Sequence, residues 1–113
     1  MSDALRREDL PDGSVRIHLD VPIADMAEPK TTFVIRRPTI GEQMRLGDPL
    51  TWVVDDKASM PIIARDLVEN YARLLITGHD ADVIFRTTNM RLGVMIEEVI
   101  LGFFRTARMS LKA

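Results

Sequence analysis

Apolar and polar residues alternate along the chain between positions 15 and 21. The apolar positions are Val15, Ile17, Leu19 and Val21. A period of two over this length predicts a half-buried β-strand, and Pro22 is expected either to end it or to mark an edge. Residues 31–36 repeat the alternation and are rich in β-branched side chains. The two segments therefore predict an N-terminal β-hairpin, which needs the following segments to cover one face.

The second strand is predicted to pass abruptly into a helix. Pro38 cannot donate a ladder hydrogen bond and disfavours the α conformation at Arg37, so the strand should stop there. Thr39 followed three residues later by Glu42 is the signature of a capping box. The sequence thus predicts a helix over residues 40–46, ending at a Gly-Asp-Pro stretch.

Residues 59–78 predict an amphipathic helix. Ser59 is a favourable N-cap residue, and Gly78 is typical of the position just after a helix. Apolar residues share one face at helical spacing: Met60, Ile63, Ala64, Leu67, Val68, Tyr71, Leu74 and Leu75. Upstream, residues 48–58 contain the single tryptophan and fit either a short strand or an ordered loop.

A turn and one short helix are predicted over residues 79–86, before a longer helix over about residues 89–105 that Thr87 or Thr88 would cap. One face of the longer helix carries a regular core stripe. Beside that stripe lies a second apolar patch, formed by Met90, Val94, Leu101 and Phe104. A helix that is apolar nearly all round is hard to bury in so small a domain, so this patch is the candidate surface for another chain.

The predicted fold class is α+β: an N-terminal β-hairpin followed by about three to four α-helices, in a mostly helical small domain. Residues 1–13 are polar, end in a turn signal and predict a flexible arm. Residues 14–106 form a single domain, and residues 107–113 are expected to be a loose tail. A length of 113 residues suits this division.

The composition excludes several kinds of chemistry. The chain has no cysteine, which removes disulfides, zinc-thiolate sites and thiol nucleophiles. A net charge of -2 is unlike the basic footprint of nucleic-acid binders. The N-terminus lacks the apolar core of a signal peptide, and no apolar run reaches the roughly 18 residues of a membrane span. We therefore expect a protein that binds neither nucleic acid nor membrane.

Candidate catalytic residues are few. His79, Asp80 and Asp82 form a local cluster of metal-ligand types, but their spacing matches no established pattern. A solvated turn explains them better. The Arg36-Arg37 pair, with Arg45, suits a phosphate site or, more commonly, a solvated strand end or an ion pair with Glu42 or Asp48. The sequence predicts no enzyme, no cofactor and no metal site.

The segments "IHLDVPI" and "TTFVIRRPTIGEQMRL" resemble the start of tail assembly chaperones of long-tailed phages and prophages. In that family a strand with a proline-containing turn precedes a second strand, an Arg-x-Pro-Thr motif and a helix. The match here is Arg36-Arg37-Pro38-Thr39, with Glu42 standing, slightly displaced, for the acidic residue that starts the family's helix. The run "MRLGVMIEEVILGFF" is similar to the apolar, Phe-containing C-terminal segment of the family.

The resemblance implies a non-catalytic protein that binds the long, helical tape-measure protein until the tail tube polymerises around it. The tail tube protein is a second candidate partner. The implied location is the host bacterial cytoplasm during assembly, with absence from the mature virion. From the helical pattern, we assign partner contact to Met90, Val94, Leu101 and Phe104. Arg37, Pro38, Thr39 and Glu42 are assigned to the scaffold. Whether the chain forms a homo-oligomer stays open.

Three alternatives fit the sequence less well. One is a structural tail or baseplate accessory protein that stays in the virion. Another is a small regulatory protein that places its basic N-terminal arm and the Arg36-Arg37 pair on nucleic acid, against which the net charge argues. The last is an enzyme that uses the turn of residues 79–82 with a metal ion.

Overall fold

The computed structural model describes residues 4–25, 28–54 and 58–112. The first three residues of the predicted arm, and Ala113 of the predicted tail, lie outside this part of the chain. The elements in chain order are β1 (Arg6–Asp9), β2 (Val15–Asp25), β3 (Glu28–Ile35), α1 (Ile40–Leu46), β4 (Leu50–Val54), β5 (Ser59–Ile63), α2 (Arg65–Leu75), β6 (Ile76–Thr77), α3 (Ala81–Phe85) and α4 (Met90–Lys112). The fold class is therefore α+β, as predicted, with more strand than the sequence suggested.

The main sheet has four antiparallel strands in the order β1-β2-β3-β6. Its inner face buries the alternating apolar residues of β2 and β3. The predicted hairpin is thus present as β2 and β3, but inside a larger sheet and after a further strand. Strand β1 lies within the segment expected to be a flexible arm. It pairs with β2 in a register that places Glu8 beside His18 and Arg16, at 2.8 Å and 3.4 Å. The hydrogen bond with His18 contributes most to lowering the pKa of Glu8.

Pro22 does not end β2, but it lies beyond the residues that pair with β1 and so marks an edge, the second of the two outcomes expected of it. The expectation that Val21 lies with the inward apolar residues is wrong. The register between β2 and β3 shifts between His18 and Ile23, and the strand continues to Asp25. This bulge-like irregularity sets five steps along β2, from His18 to Ile23, against two steps along β3, from Thr32 to Lys30, and so interrupts the strict alternation of inward side chains. Val21 is consequently 62% exposed, whereas Ile23 is buried in the core.

Helix α1 confirms the predicted strand-to-helix junction. It spans Ile40–Leu46, and both hydrogen bonds of the capping box are present between Thr39 and Glu42. Gly47 ends the helix with a φ of 94°, a conformation that favours glycine. None of the helical residues is buried, so α1 rests on the surface of the domain.

The helix predicted from Ser59 begins later than expected. Residues 59–63 instead form β5, which pairs antiparallel with β4 in a separate two-stranded sheet. Pro61 disfavours the α conformation of the residue before it, and the two isoleucines that follow prefer strands. Helix α2 starts at Arg65 with Ala64 as its N-cap. The Trp52 segment is thus a strand, one of the two structures that the sequence left open.

The second half of the domain departs from prediction mainly at its helix ends. Helix α2 stops at Leu75, and the next two residues form β6, so Ile76 replaces Gly78 as the C-cap. The predicted short helix is present as α3. Asn89 caps α4, since its side-chain oxygen accepts a hydrogen bond of 3.2 Å from the Leu92 N–H. This corrects the cap expected at Thr87 or Thr88, and α4 continues through the predicted tail to Lys112.

One hydrophobic core joins the inner face of the main sheet to the helices. The largest fully buried side chains include Tyr71 of α2, Phe33 of β3 and Ile100 of α4. Helix α2 packs against α4, and α3 lies close to both α2 and β2. This arrangement leaves the N-terminal half of α4 beside α2 and α3, where the candidate site lies.

Candidate functional site

The four residues predicted to contact a partner do not form one exposed patch. Met90 and Val94, in the N-terminal half of α4, are 80% and 54% exposed. Leu101 and Phe104, further along the same helix, are only 5% and 4% exposed. The structure therefore separates the predicted patch into an open pair and a buried pair.

Leu101 and Phe104 both belong to the hydrophobic core, and Phe104 is buried where α4 packs against α2. The ring of Phe104 lies 5.0 Å from the ring of Tyr71, centroid to centroid, at an interplanar angle of 60°. Tyr71 also donates a hydrogen bond of 2.6 Å from its hydroxyl to the Gly47 carbonyl oxygen. Burial contributes most to raising the pKa of Tyr71. Both α4 residues thus belong to the core and hold the helices in place.

An open groove of about 700 Å³ runs between α2, α3 and α4. Its floor consists of buried apolar side chains, namely Val68, Ala72, Ile84, Leu92 and Ile96. The exposed Met90 and Val94 also line it, with Gly93 between them in sequence. A Cβ added at Gly93 would meet no atom within 4 Å, so the missing side chain leaves space. We refer to this feature as the α2–α4 groove.

Paired charges flank the α2–α4 groove. Arg65 of α2 lies 3.3 Å from the carboxylate of Glu97 on α4, which links the two helices across their N-terminal halves. Arg73, further along α2, pairs with Glu69 at 3.5 Å and also with Asp82 of α3. The pairing with Asp82 contributes most to raising the pKa of Arg73. The rim therefore carries charges of both signs around an apolar floor.

The Phe85 ring completes one side of the α2–α4 groove. The guanidinium carbon of Arg73 lies 4.8 Å from the centre of this ring. A cation above an aromatic face is attracted by the ring quadrupole, so Arg73 is restrained by both the ring and its carboxylate partners. The α3 side of the groove thus has fixed polar groups above an apolar surface.

The junction around Thr39 is a structural motif. The Arg36 guanidinium forms two hydrogen bonds with the Glu42 carboxylate, at 2.7 Å and 2.9 Å, in a bidentate pair. This pair, together with the Thr39 N–H, lowers the pKa of Glu42 to about 2. Arg37 is exposed, and its side chain lies against Gly13. Arg36 thus forms the ion pair with Glu42 that was one of the arrangements expected for the two arginines.

His79 does not face solvent, as a solvated turn would require. It is buried, and its Nε2 lies 3.3 Å from the Ile23 carbonyl oxygen. Asp80 accepts a hydrogen bond from the Asp82 N–H and caps α3. Within the part of the chain that the structure describes, no group of three or more His, Cys, Asp or Glu side chains could hold a metal ion.

Sequence reasoning missed the groove because its floor residues fit ordinary core positions. Gly93 offered a signal, since glycine inside a helix lowers stability and needs a packing or functional reason. The exposed apolar residues of the β4–β5 pair were missed because residues 59–63 fit a helical pattern. Among the described residues, no helix is both long enough and apolar enough to cross a membrane. Comparison with protein-family models, curated proteins and solved structures gives no match.

Proposed function

We propose that this chain is a non-catalytic phage tail assembly chaperone that binds the helical tape-measure protein and keeps it soluble until the tail tube polymerises. The observation that carries the proposal is the α2–α4 groove, with the exposed Met90 and Val94 on its edge. The resemblance of the Arg36-Arg37-Pro38-Thr39 junction to that family adds independent support from the sequence.

The occupant that suits this groove is one amphipathic helix of the partner. A helix of this kind places an apolar stripe into a hydrophobic groove and its flanking charges on the rim. The α2–α4 groove offers an apolar floor and a rim in which Arg65 and Arg73 alternate with Glu69 and Glu97. A charge of either sign beside the partner's stripe can therefore join one of these ion pairs at the rim.

A chaperone of this type must release its partner. An open groove, rather than an enclosed pocket, leaves a bound helix in contact with water on one side, which favours exchange. Met90 is flexible and polarizable, properties that suit contact with varied apolar sequences. We accordingly expect many modest contacts instead of one very tight site.

The junction between β3 and α1 acts as scaffold in this account. Glu42 forms the capping-box hydrogen bonds with Thr39 and a bidentate ion pair with Arg36. Their hydrogen-bonding groups are already occupied within the chain. We therefore assign partner contact to Met90 and Val94, and keep Arg37 and Pro38 with the scaffold. The chaperone would act in the host bacterial cytoplasm and be absent from the mature virion.

The proposal is tested by co-expressing the chain with the longest helix-rich protein encoded beside it and measuring co-purification. Val94→Lys places a charge at the edge of the groove and is expected to reduce the amount of partner that co-purifies. Met44→Lys is the matched control, because Met44 is also an exposed helical residue but lies on α1, outside the groove lining. It should leave the complex intact.

Two results would contradict this assignment. If Val94→Lys and Met44→Lys co-purify with the partner equally well, the groove is not the contact. If no complex forms and the chain is found in purified virions, the protein is a structural tail or baseplate component. Circular dichroism of both variants checks that the fold is retained.

A further inference from the structure

The outermost strands of the two described sheets are β1, β6, β4 and β5, and three of these four strands carry a feature that discourages pairing with another chain. Strand β1 consists of four charged residues, Arg6–Asp9. Strand β6 has only two residues. Strand β5 contains Pro61, which lacks an N–H. Charge, shortness and proline are the devices by which natural edge strands avoid association. Strand β4, with the sequence LTWVV, has none of them.

The backbone pattern shows which groups of β4 face outward. Ala64 donates a hydrogen bond of 2.9 Å from its N–H to the Pro49 carbonyl oxygen, next to the Leu50↔Ile63 pair. Hydrogen-bonded and non-hydrogen-bonded pairs alternate in an antiparallel ladder. Trp52↔Pro61 and Val54↔Ser59 are therefore non-hydrogen-bonded pairs. The N–H and C=O groups of Trp52 and Val54 consequently point away from β5, at an exposed edge.

We propose that β4 pairs antiparallel with β4 of a second copy of this chain, about a two-fold axis at Val53. In this register Trp52 of one copy lies opposite Val54 of the other, and each such pair exchanges two backbone hydrogen bonds. About four hydrogen bonds form in total. Leu50 takes no part, since it is fully buried and its N–H already donates to Asp48.

A second copy suits this edge for two reasons. Strands β4 and β5 carry no charged side chain, so the pairing brings no like charges of these strands together. The register also sets aromatic Trp52 beside β-branched Val54, a favourable cross-strand combination. The paired stretch is short, and its area falls below that of a permanent dimer. We therefore expect reversible association that depends on concentration. The inference is independent of the proposed function.

A pair of cysteine variants tests the axis directly, because the chain has no cysteine of its own. The two Val53 residues would form a non-hydrogen-bonded pair with Cα atoms about 4.5 Å apart, which a disulfide can span. Met60 is the matched control, since it lies opposite Val53 on β5 and is similarly exposed, 64% against 51%. Two Met60 residues would be three strand spacings apart, about 14 Å.

Under mild oxidation, Val53→Cys is expected to give a disulfide-linked dimer on a non-reducing gel, and Met60→Cys to stay monomeric. Equal cross-linking of both variants, or none in Val53→Cys, would overturn the proposal. If Val53→Cys does not cross-link, the β4 edge would instead be a site for an extended segment of another protein.

Proline variants test the same edge without cross-linking. Val54→Pro removes an outward N–H of β4, whereas Ser59→Pro removes an N–H from the opposite edge of the same sheet. Light scattering over a concentration series should show the 12.8 kDa wild-type chain and Ser59→Pro moving toward twice that mass. Val54→Pro should remain monomeric. A wild-type chain that stays monomeric, or dimerisation lost equally in both variants, would refute the pairing.

Discussion

Replacing Gly93 with alanine is expected to stabilise the protein. Gly93 lies inside α4, does not have a positive φ, and has open space where a Cβ would be placed. Alanine in a helix interior is more favourable than glycine by about 1 kcal/mol. With an unfolding entropy of about 2.1 cal/mol/K per residue, that energy corresponds to about 4 °C in Tm for a chain of 113 residues.

The assay is thermal unfolding by circular dichroism, with two further glycines as controls. Gly102→Ala should raise Tm by a similar amount, since Gly102 is also in α4 and a Cβ added there would meet no atom within 4 Å. Gly13→Ala should lower Tm, because Gly13 has a φ of 90° and a Cβ there would lie 2.5 Å from Arg37 Cδ. An unchanged or lower Tm for Gly93→Ala would refute the reasoning that this position is helical and open.

Larger substitutions at Gly93 and Gly102 distinguish an effect on partner binding from an effect on stability. Gly93→Leu projects a side chain into the α2–α4 groove, whereas Gly102 lies outside the residues that line it. Gly102→Leu is therefore the matched control. Both variants should fold, and Gly93→Leu alone should lose the complex with the helical partner. Loss of the complex in both, or in neither, would argue against the groove as the binding site.

Other predictions concern the junction and the core. Thr39→Ala should lower the free energy of unfolding in urea by about 1 kcal/mol, because it removes the N-cap acceptor of the Glu42 N–H; no change would contradict that role. Because the folded-state pKa of Glu42 is about 2 instead of 4.5, its stabilising effect is present above pH 4.5 and is lost as the pH falls toward 2. The stability difference between wild type and Glu42→Gln should therefore shrink over that range, and a constant difference would be inconsistent with the Arg36 ion pair. Phe104→Ala should lower the free energy of unfolding by about 3–5 kcal/mol, and Met90→Ala by no more than about 0.5 kcal/mol. Similar losses in both variants would contradict the division of the predicted patch into a buried pair and an exposed pair.

The strand-to-helix junction was predictable because its determinants are adjacent in sequence. Pro38, which ends the strand, and the capping-box residues Thr39 and Glu42 lie within five consecutive positions. The helix forms over the predicted residues. The alternation in β2 likewise identified its first inward residues. The bulge that exposes Val21 could not be inferred from the pattern, because it depends on the register against β3.

Residues 59–63 show how one pattern can fit two structures. Met60 and Ile63 have helical spacing and extend the apolar face of α2, yet the segment forms β5 because Leu50–Val54 offers a partner strand. The pattern of residues 59–63 alone cannot indicate this pairing, because β4 lies outside that segment of the sequence. Pro61 was the local signal against a helix interior.

The candidate site was predictable only in part. The helical pattern of α4 correctly showed that its apolar residues exceed one core stripe. It could not show which of them would meet α2, because that depends on the relative placement of the two helices. Phe104 packs against Tyr71, whereas Met90 remains open. The groove itself arises from three helices together and from the missing side chain at Gly93.

The most direct test of the account measures the soluble fraction of the long helical partner when it is expressed alone, with the wild-type chain, or with Gly93→Leu. The partner should aggregate when expressed alone, become soluble with the wild-type chain, and aggregate again with Gly93→Leu. If the partner is equally soluble in all three cases, or remains insoluble beside the wild-type chain, the proposed chaperone function is wrong.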